Sequence, residues 1–302
     1  MTVHLTSFGP GKVILLGEHG VVYGQPALAA PISRGVRAWA VPSTRCSVEV
    51  PGGLSAEHAA TLERAFARAA KVTGRPKVLV TLESDLPVSM GLGSSAALSV
   101  AVARVLLEAK GARPATRKQV EAVALEMEKA FHGTPSGVDH TTSARGELVL
   151  FRRGSAKVVR SPIPVRVLVA IVGERPSTKA TVGALRERQA RWPERYGRLF
   201  REIGRLAREG AEAVSGGDLE SLGDLMNVNQ GLLNAAGLSS EGLEAMVYRL
   251  RRFGALGAKL TGAGGDGGAV LGLFREPEPL VARLKREGVT CFVSQLAGPR
   301  AL

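Results

Sequence analysis

The segment that most restricts the fold is a glycine-serine turn that runs straight into a long apolar helix. Gly91-Leu92-Gly93-Ser94-Ser95 is followed without a break by Ala-, Leu- and Val-rich sequence to Lys110, and Gly111 then closes the run. Residues 77–82 before it carry β-branched Val78 and Val80 and read as a strand, so the order is strand, loop, helix. Glycines in such a loop let the backbone adopt positive φ and approach a bulky group closely. The helix that begins there offers unpaired N–H groups and the positive end of its dipole. Together these features make a phosphate cradle, and a first-turn serine hydroxyl is a hard oxygen donor suited to magnesium. Three other readings share the pattern. Gly91-x-Gly93-x-x-Ala96 fits the loose dinucleotide fingerprint, but residues 111–116 lack the acidic partner that fingerprint needs. A P-loop requires Gly-Lys-Ser/Thr, which is missing. A serine N-cap before an Ala-rich helix would account for the serines structurally. Taken alone, the loop does not separate phosphate binding from capping.

The rest of the chain alternates in the same way. Residues 13–16 and 36–41 read as strands, 62–72 as a helix with Ala65, Phe66, Ala69 and Ala70 on one face, and 117–131 as a second helix. Residues 132–139 read as a loop by composition. Strands are expected at 147–151, 157–160 and 165–172, and helices at 176–209, 218–233 and 241–253. The end returns to strands at 258–261, 269–274 and 289–295, with a helix at 279–287. The compositional change near Pro176 suggests a boundary there, dividing a two-lobed α+β chain into 1–175 and 176–302.

Charge and cysteine usage narrow the function classes. The formal net charge is +13, yet the arginines are scattered along helices with no block of like charge. Without zinc-finger spacing or a basic tail, no nucleic-acid partner is expected, and the positive field suits small anionic substrates. Cys46 and Cys291 form no CxxC pair, which argues against a metal or redox site. There is no signal-peptide pattern and no apolar run long enough to span a bilayer, so a cytoplasmic protein without a membrane partner is expected.

Three further segments carry chemistry. Glu128 precedes the run His132-Gly133-Thr134-Pro135-Ser136-Gly137-Val138-Asp139. Two such carboxylates can divide labour, one holding a metal and the other orienting or deprotonating a hydroxyl. Singly, each reads as well as a solvated helix carboxylate or a turn residue. Lys12 stands near Gly17-Glu18-His19-Gly20 and can neutralise charge on a transferred phosphoryl group, although a surface lysine and turn residues would look the same. Residues 262–268 hold six glycines or alanines around Asp266, a composition whose entropic cost is justified where a ligand or another backbone comes close.

In this order the segments resemble the GHMP small-molecule kinases, whose first motif is similar to Pro10-Gly11-Lys12-Val13-Ile14-Leu15-Leu16-Gly17-Glu18-His19. The second resembles residues 87–97 and the third Lys259-Leu260-Thr261-Gly262-Ala263-Gly264-Gly265. Within the family, three stretches are most similar to the branch that phosphorylates mevalonate: Gly17-Glu18-His19-Gly20-Val21-Val22-Tyr23-Gly24, the run from Glu128 to Asp139, and Met226-Asn227-x-Asn229-Gln230-Gly231-Leu232-Leu233. The resemblance implies a ribosomal-protein-like N-terminal lobe and a ferredoxin-like C-terminal lobe. It implies ATP on Ser89, Met90, Gly91, Leu92, Gly93, Ser94 and Ser95, with Mg2+ held by Ser95 and Glu128. It further implies that Asp139 acts on the substrate hydroxyl, that Lys12 stabilises transferred charge, that Glu18, His19 and Thr178 face mevalonate, and that the protein is a homodimer. Two departures stand out. Asp266 interrupts the third motif, where a carboxylate would repel phosphates unless it points away or meets a cation. His140 follows Asp139 where the family often has Asn.

Overall fold

The computed structural model of the protein describes residues 5–53, 55–87, 90–111, 114–173 and 178–298. The first half runs β1 (Leu5–Leu16), a 3-10 turn (Gly20–Tyr23), β2 (Ala27–Pro42), β3 (Ser47–Glu49), α1 (Ala56–Val72), β4 (Val78–Ser84), α2 (Ser94–Ala109), α3 (Arg117–His132) and α4 (Val138–Arg145). The second runs β5 (Val149–Arg152), β6 (Ser155–Val158), β7 (Val165–Val172), α5 (Thr178–Arg191), α6 (Pro193–Gly216), α7 (Leu219–Ala235), α8 (Glu241–Arg252), β8 (Gly257–Thr261), β9 (Gly268–Phe274), α9 (Glu278–Arg286) and β10 (Cys291–Ala297). The chain forms two units that interleave in sequence. One comprises Met1–Lys12, Ser33–Leu86 and Gly93–Gly146; the other comprises Val13–Ile32, Pro87–Leu92 and Glu147–Leu302.

In the first unit, the later part of β2 pairs antiparallel with β4, Ala38 opposite Leu82, and β3 adds in parallel, Val48 opposite Val80. Helix α2 is apolar over most of its surface and largely buried, with Arg104 and Glu108 partly exposed. Ala97, Val100, Ala101, Val102, Val105 and Leu106 have no solvent exposure. Helices α1, α3 and α4 pack around α2. Burying each Val or Leu contributes roughly 1.5–3 kcal/mol before entropy is counted. β1 approaches α2 so closely that a Cβ on Gly9 would lie 1.9 Å from the Ala97 carbonyl oxygen. Helix α3 begins with a reciprocal capping box between Thr116 and Gln119.

In the second unit, the sheet order is β10-β7-β9-β8, antiparallel throughout. Strands β9 and β10 both flank β7, so β9–α9–β10 is a split βαβ and the arrangement is ferredoxin-like. Residues of β7, β8 and β9 make a core with Phe200 and Ile203 of α6, Leu233 of α7, and Leu243, Val247 and Leu250 of α8. Gly223 of α7 meets Gly257 of β8 so tightly that a Cβ on Gly257 would lie 2.1 Å from the Gly223 carbonyl oxygen. The β5–β6 hairpin turns through Arg153 and Gly154, both at positive φ, as a two-residue hairpin requires.

Two features differ from the sequence expectation. A boundary at 175/176 would sever β7 from the sheet in which it is a central strand, and residues 13–32 also belong to this unit. The compositional change near Pro176 marks the passage from β7 to the helices that follow it. Residues 138–145, expected as loop at their start, form α4. No helix among the described residues is long and apolar enough to cross a membrane, and Cys46 and Cys291 are free thiols.

Candidate active site

Helix α2 starts at Gly93, which occupies the N-cap at φ 72°. Ser94 and Ser95 therefore lie in the first turn, and neither serves as the N-cap. A Cβ on Gly93 would come within 2.7 Å of Lys12 Cγ, so only glycine lets the Lys12 stem pass beneath the start of the helix. Lys12 is 3% exposed, and its Nζ lies 3.0 Å from Asp139 Oδ1. Asp139 sits in the first turn of α4, behind Gly137 at φ 95°, where the helix dipole favours a carboxylate. Helix α4 is pinned on its other side. Ser143 Oγ donates to the Pro10 carbonyl at 2.7 Å, and Arg104 Nη2 donates to the Ala144 carbonyl at 2.9 Å. These bonds tie α4 to the strand segment that carries Lys12, and so align the Lys12–Asp139 pair.

Glu128, in the last turns of α3, is 1% exposed. Ser99 Oγ donates to its Oε1 at 3.2 Å. Burial pushes its carboxyl up to about 7; the Asp139 charge adds to the rise, and hydrogen bonds from Ser95 and Ser99 and the Lys12 charge oppose it. His132, one turn on, places Nε2 3.0 Å from Ser95 Oγ and 3.8 Å from Glu128 Oε2. Partial desolvation holds the half-exposed His132 ring below its usual pKa, with Asp139 pulling it up and Lys12 pushing it down. The Ser95 hydroxyl and the Glu128 carboxylate are hard oxygen donors that fit Mg2+. Among the described residues, no group of three or more His, Cys, Asp or Glu is poised around a metal. So small a donor set fits an ion that keeps its waters and arrives with phosphate oxygens.

The second unit gathers the other motifs. Glu18, expected to face the substrate, is wholly buried. Its Oε1 pairs with Nζ of Lys259, also wholly buried, and Asn229 Nδ2 donates to its Oε2 at 3.2 Å. His19 is 8% exposed, has φ 57°, and points Nε2 at the Ala263 carbonyl oxygen, 3.0 Å away. Gly91 packs on the third motif: a Cβ there would sit 2.9 Å from the Thr261 carbonyl oxygen, and one on Gly262 would sit 2.7 Å from Gly91 Cα. Leu92 and Met90 are buried beside it. Asp266 is exposed, so it does not line the packed part of that loop. Ser89 lies outside the described residues. Thr178 is the first residue of α5, and its side chain lies outside them.

Sequence reasoning thus named Lys12, Ser95, Glu128 and Asp139, and the structure brings these four together. It missed Ser99, His132, Lys259 and Asn229. Ser99 and His132 each stand one helical turn after a named residue, Ser95 and Glu128, on the same face, so the i, i+4 spacing carried a signal. A lysine inside the apolar run Ala258-Lys259-Leu260 was itself a sign of a buried partner.

The chain is similar to known proteins along most of its length. Residues 58–147 match the GHMP kinases N terminal domain and residues 200–290 the GHMP kinases C terminal domain. A protein from Aeropyrum pernix named mevalonate kinase is 40% identical over 287 residues, 89% of this chain and 88% of that protein. One of the same name from Thermococcus gammatolerans is 33% identical over 307 residues, 90% of each. Among solved structures, L. major mevalonate kinase in complex with R-mevalonate superposes with a TM-score of 0.84 at 28% identity, covering 99% of this chain and 98% of that one.

Proposed function

The chain belongs to the mevalonate kinases of the GHMP kinase family, and on that premise we propose that it transfers the γ-phosphoryl group of ATP to the primary hydroxyl of (R)-mevalonate. The products are 5-phosphomevalonate and ADP. The observation that carries this reading is the Lys12–Asp139 pair at 3.0 Å beside the buried carboxyl of Glu128. A basic carboxylate, a cation and a metal-competent carboxylate are the parts that in-line phosphoryl transfer needs.

Asp139 receives the hydroxyl proton as the substrate oxygen bonds to the γ-phosphorus. The bond from that phosphorus to the β–γ bridging oxygen breaks, and its electrons leave with ADP. Lys12 holds Asp139 in place and offers its ammonium to the charge that gathers on the phosphoryl oxygens. Ser95 and Glu128 would hold Mg2+, which when bound supplies charge neutralisation at the phosphates. Ser89 to Ser95 form the nucleotide loop, in which Gly91 and Gly93 at φ 76° and 72° keep the backbone open to a phosphate. His19 and Thr178 meet mevalonate. Glu18, buried behind His19, serves it indirectly. The protein acts in the cytoplasm as a homodimer, which light scattering on a sizing column tests directly.

The decisive experiment is ADP release by the purified protein with Mg-ATP and a panel of acceptors: mevalonate, phosphomevalonate, galactose and homoserine. Release with mevalonate alone is expected. Release with another member of the panel would replace the acceptor, and release with none would remove the kinase reading.

A further inference from the structure

The two segments that hold Glu18 and Lys259 are joined more often than the fold requires. Ile14 N donates to Thr261 Oγ1 at 2.9 Å, and the same hydroxyl donates back to the Ile14 carbonyl at 3.1 Å. Lys259 Nζ pairs with Glu18, and His19 Nε2 reaches the Ala263 carbonyl. Residues 14, 18 and 19 are thus tied in order to 261, 259 and 263. On the far side of the turn, Gly17 at φ 107° packs on β2 so closely that a Cβ would lie 2.4 Å from Ala27 Cα. The turn is held from both sides.

Stability alone does not call for a charged pair here. Both side chains are fully buried, and taking two charges out of water costs several kcal/mol per ion. Desolvation pulls the lysine's pKa down, and only Glu18 opposes it. Apolar residues of similar volume are often as stable or more so at such a site. What an ion pair supplies is geometry, and the residue next to Glu18 needs it. His19 is a non-glycine residue at φ 57°, a backbone state that costs about 1–3 kcal/mol and persists only where its surroundings over-determine it. Its ring is also fixed. A carbonyl oxygen only accepts, so Nε2 carries a hydrogen.

We propose that Lys259 is a positioning residue, and that its buried pair with Glu18, steadied by Asn229, clamps the Gly17–Gly20 turn and sets His19 in one backbone state and one ring tautomer for binding the hydroxy-acid acceptor. The functional part rests on the kinase reading above. The clamp itself does not depend on it.

The test uses the full chain with 15N-labelled histidine and compares wild type with Glu18→Gln/Lys259→Met, which removes both charges together. Three quantities are read: the thermal midpoint, the His19 ring nitrogen shifts, and KM for mevalonate and for ATP. The double variant is expected to melt at or near the wild-type temperature and to lose the single Nε2–H signature of His19. Its KM for mevalonate should rise about tenfold while that for ATP holds, since small misplacements of a binding group cost this much. A folded double variant with the His19 signature and mevalonate KM unchanged overturns the proposal. If the double variant does not fold, Asn229→Leu carries the test. Asn229 Oδ1 has no hydrogen-bond partner, so this change removes one bond to Glu18 and leaves the pair. A rise of about threefold in mevalonate KM with a shifted ring signature is expected, and no change in either overturns the clamp. Should wild type release no ADP with mevalonate, the kinase reading fails, and the ring signature still decides whether the pair positions His19.

Discussion

Glu128 and Asp139 are two carboxylates to which the surroundings give different work. Glu128 is buried on α3 beside serine donors, and burial raises its carboxyl to about 7; it is the carboxylate proposed to hold the metal. Asp139 is one-third exposed and faces Lys12, which leaves it open to the substrate contact proposed for it. Asp139→Asn keeps the shape and removes the base. It should lower kcat by about 10²–10⁴-fold, the usual contribution of a positioned base. Nucleotide affinity measured by calorimetry should be preserved; unchanged turnover would take Asp139 out of the mechanism. The neighbouring His140 gives a pH signature. It is 5% exposed with no partner on Nδ1, and burial holds its pKa below the usual value, with Asp139 and Glu121 pulling the other way. Above about pH 6.5 the ring is neutral in both states and its burial is not opposed by charge. As pH falls below that, the unfolded chain takes up a proton that the folded ring resists, so stability drops. Urea unfolding should show His140→Gln losing less stability than wild type between about pH 7.5 and about pH 5.5. An equal loss in both would assign the acid sensitivity to other groups.

At the scale of elements, α4 teaches the most. Val138-Asp139-His140-Thr141-Thr142-Ser143-Ala144-Arg145 is a weak helix former, with two threonines and two residues that compete for the backbone. It is helical because tertiary bonds hold it there, Ser143 to Pro10 and Arg104 to Ala144, while Thr142 Oγ1 turns back to the Val138 carbonyl within the helix. Composition pointed to loop at 132–139; residues 133–137 are non-helical as expected, and packing made 138–139 the start of α4. Strong elements behaved otherwise. The Ala- and Leu-rich stretch from 96 to 110 and the run 117–131 carry their helical patterns in neighbouring residues, and α2 and α3 formed where those patterns placed them. Ser143→Ala should cost about 1 kcal/mol in chemical denaturation, the net worth of one buried hydrogen bond. Because that bond aligns Asp139 with Lys12, kcat should fall as well; a variant with the stability loss but full kcat would show that α4 holds Asp139 without it.

For the whole molecule, the net charge of +13 is the property on which every residue acts at once. Both proposed substrates are anions, and a field of this sign raises their local concentration. Raising ionic strength from about 0.05 M to about 0.5 M shortens the screening length to a few ångströms, so kcat/KM for ATP and for mevalonate should fall several-fold. A salt-independent kcat/KM would confine the electrostatics to the contact residues. The sequence by itself determined the α+β alternation, the strand–loop–helix around Gly91 to Ser95, and the candidacy of Lys12, Ser95, Glu128 and Asp139. Periodicity, capping and glycine demand are short-range effects, written in residues that stand next to one another. Only the tertiary structure decided where the units divide, because β7 joins its sheet through partners far along the chain. It alone turned Glu18 inward to Lys259 and Asn229, and drew Asp139 to Lys12. Charges held by separate elements meet only when packing brings those elements together, and burial then sets whether each one reaches a substrate or holds another residue in place.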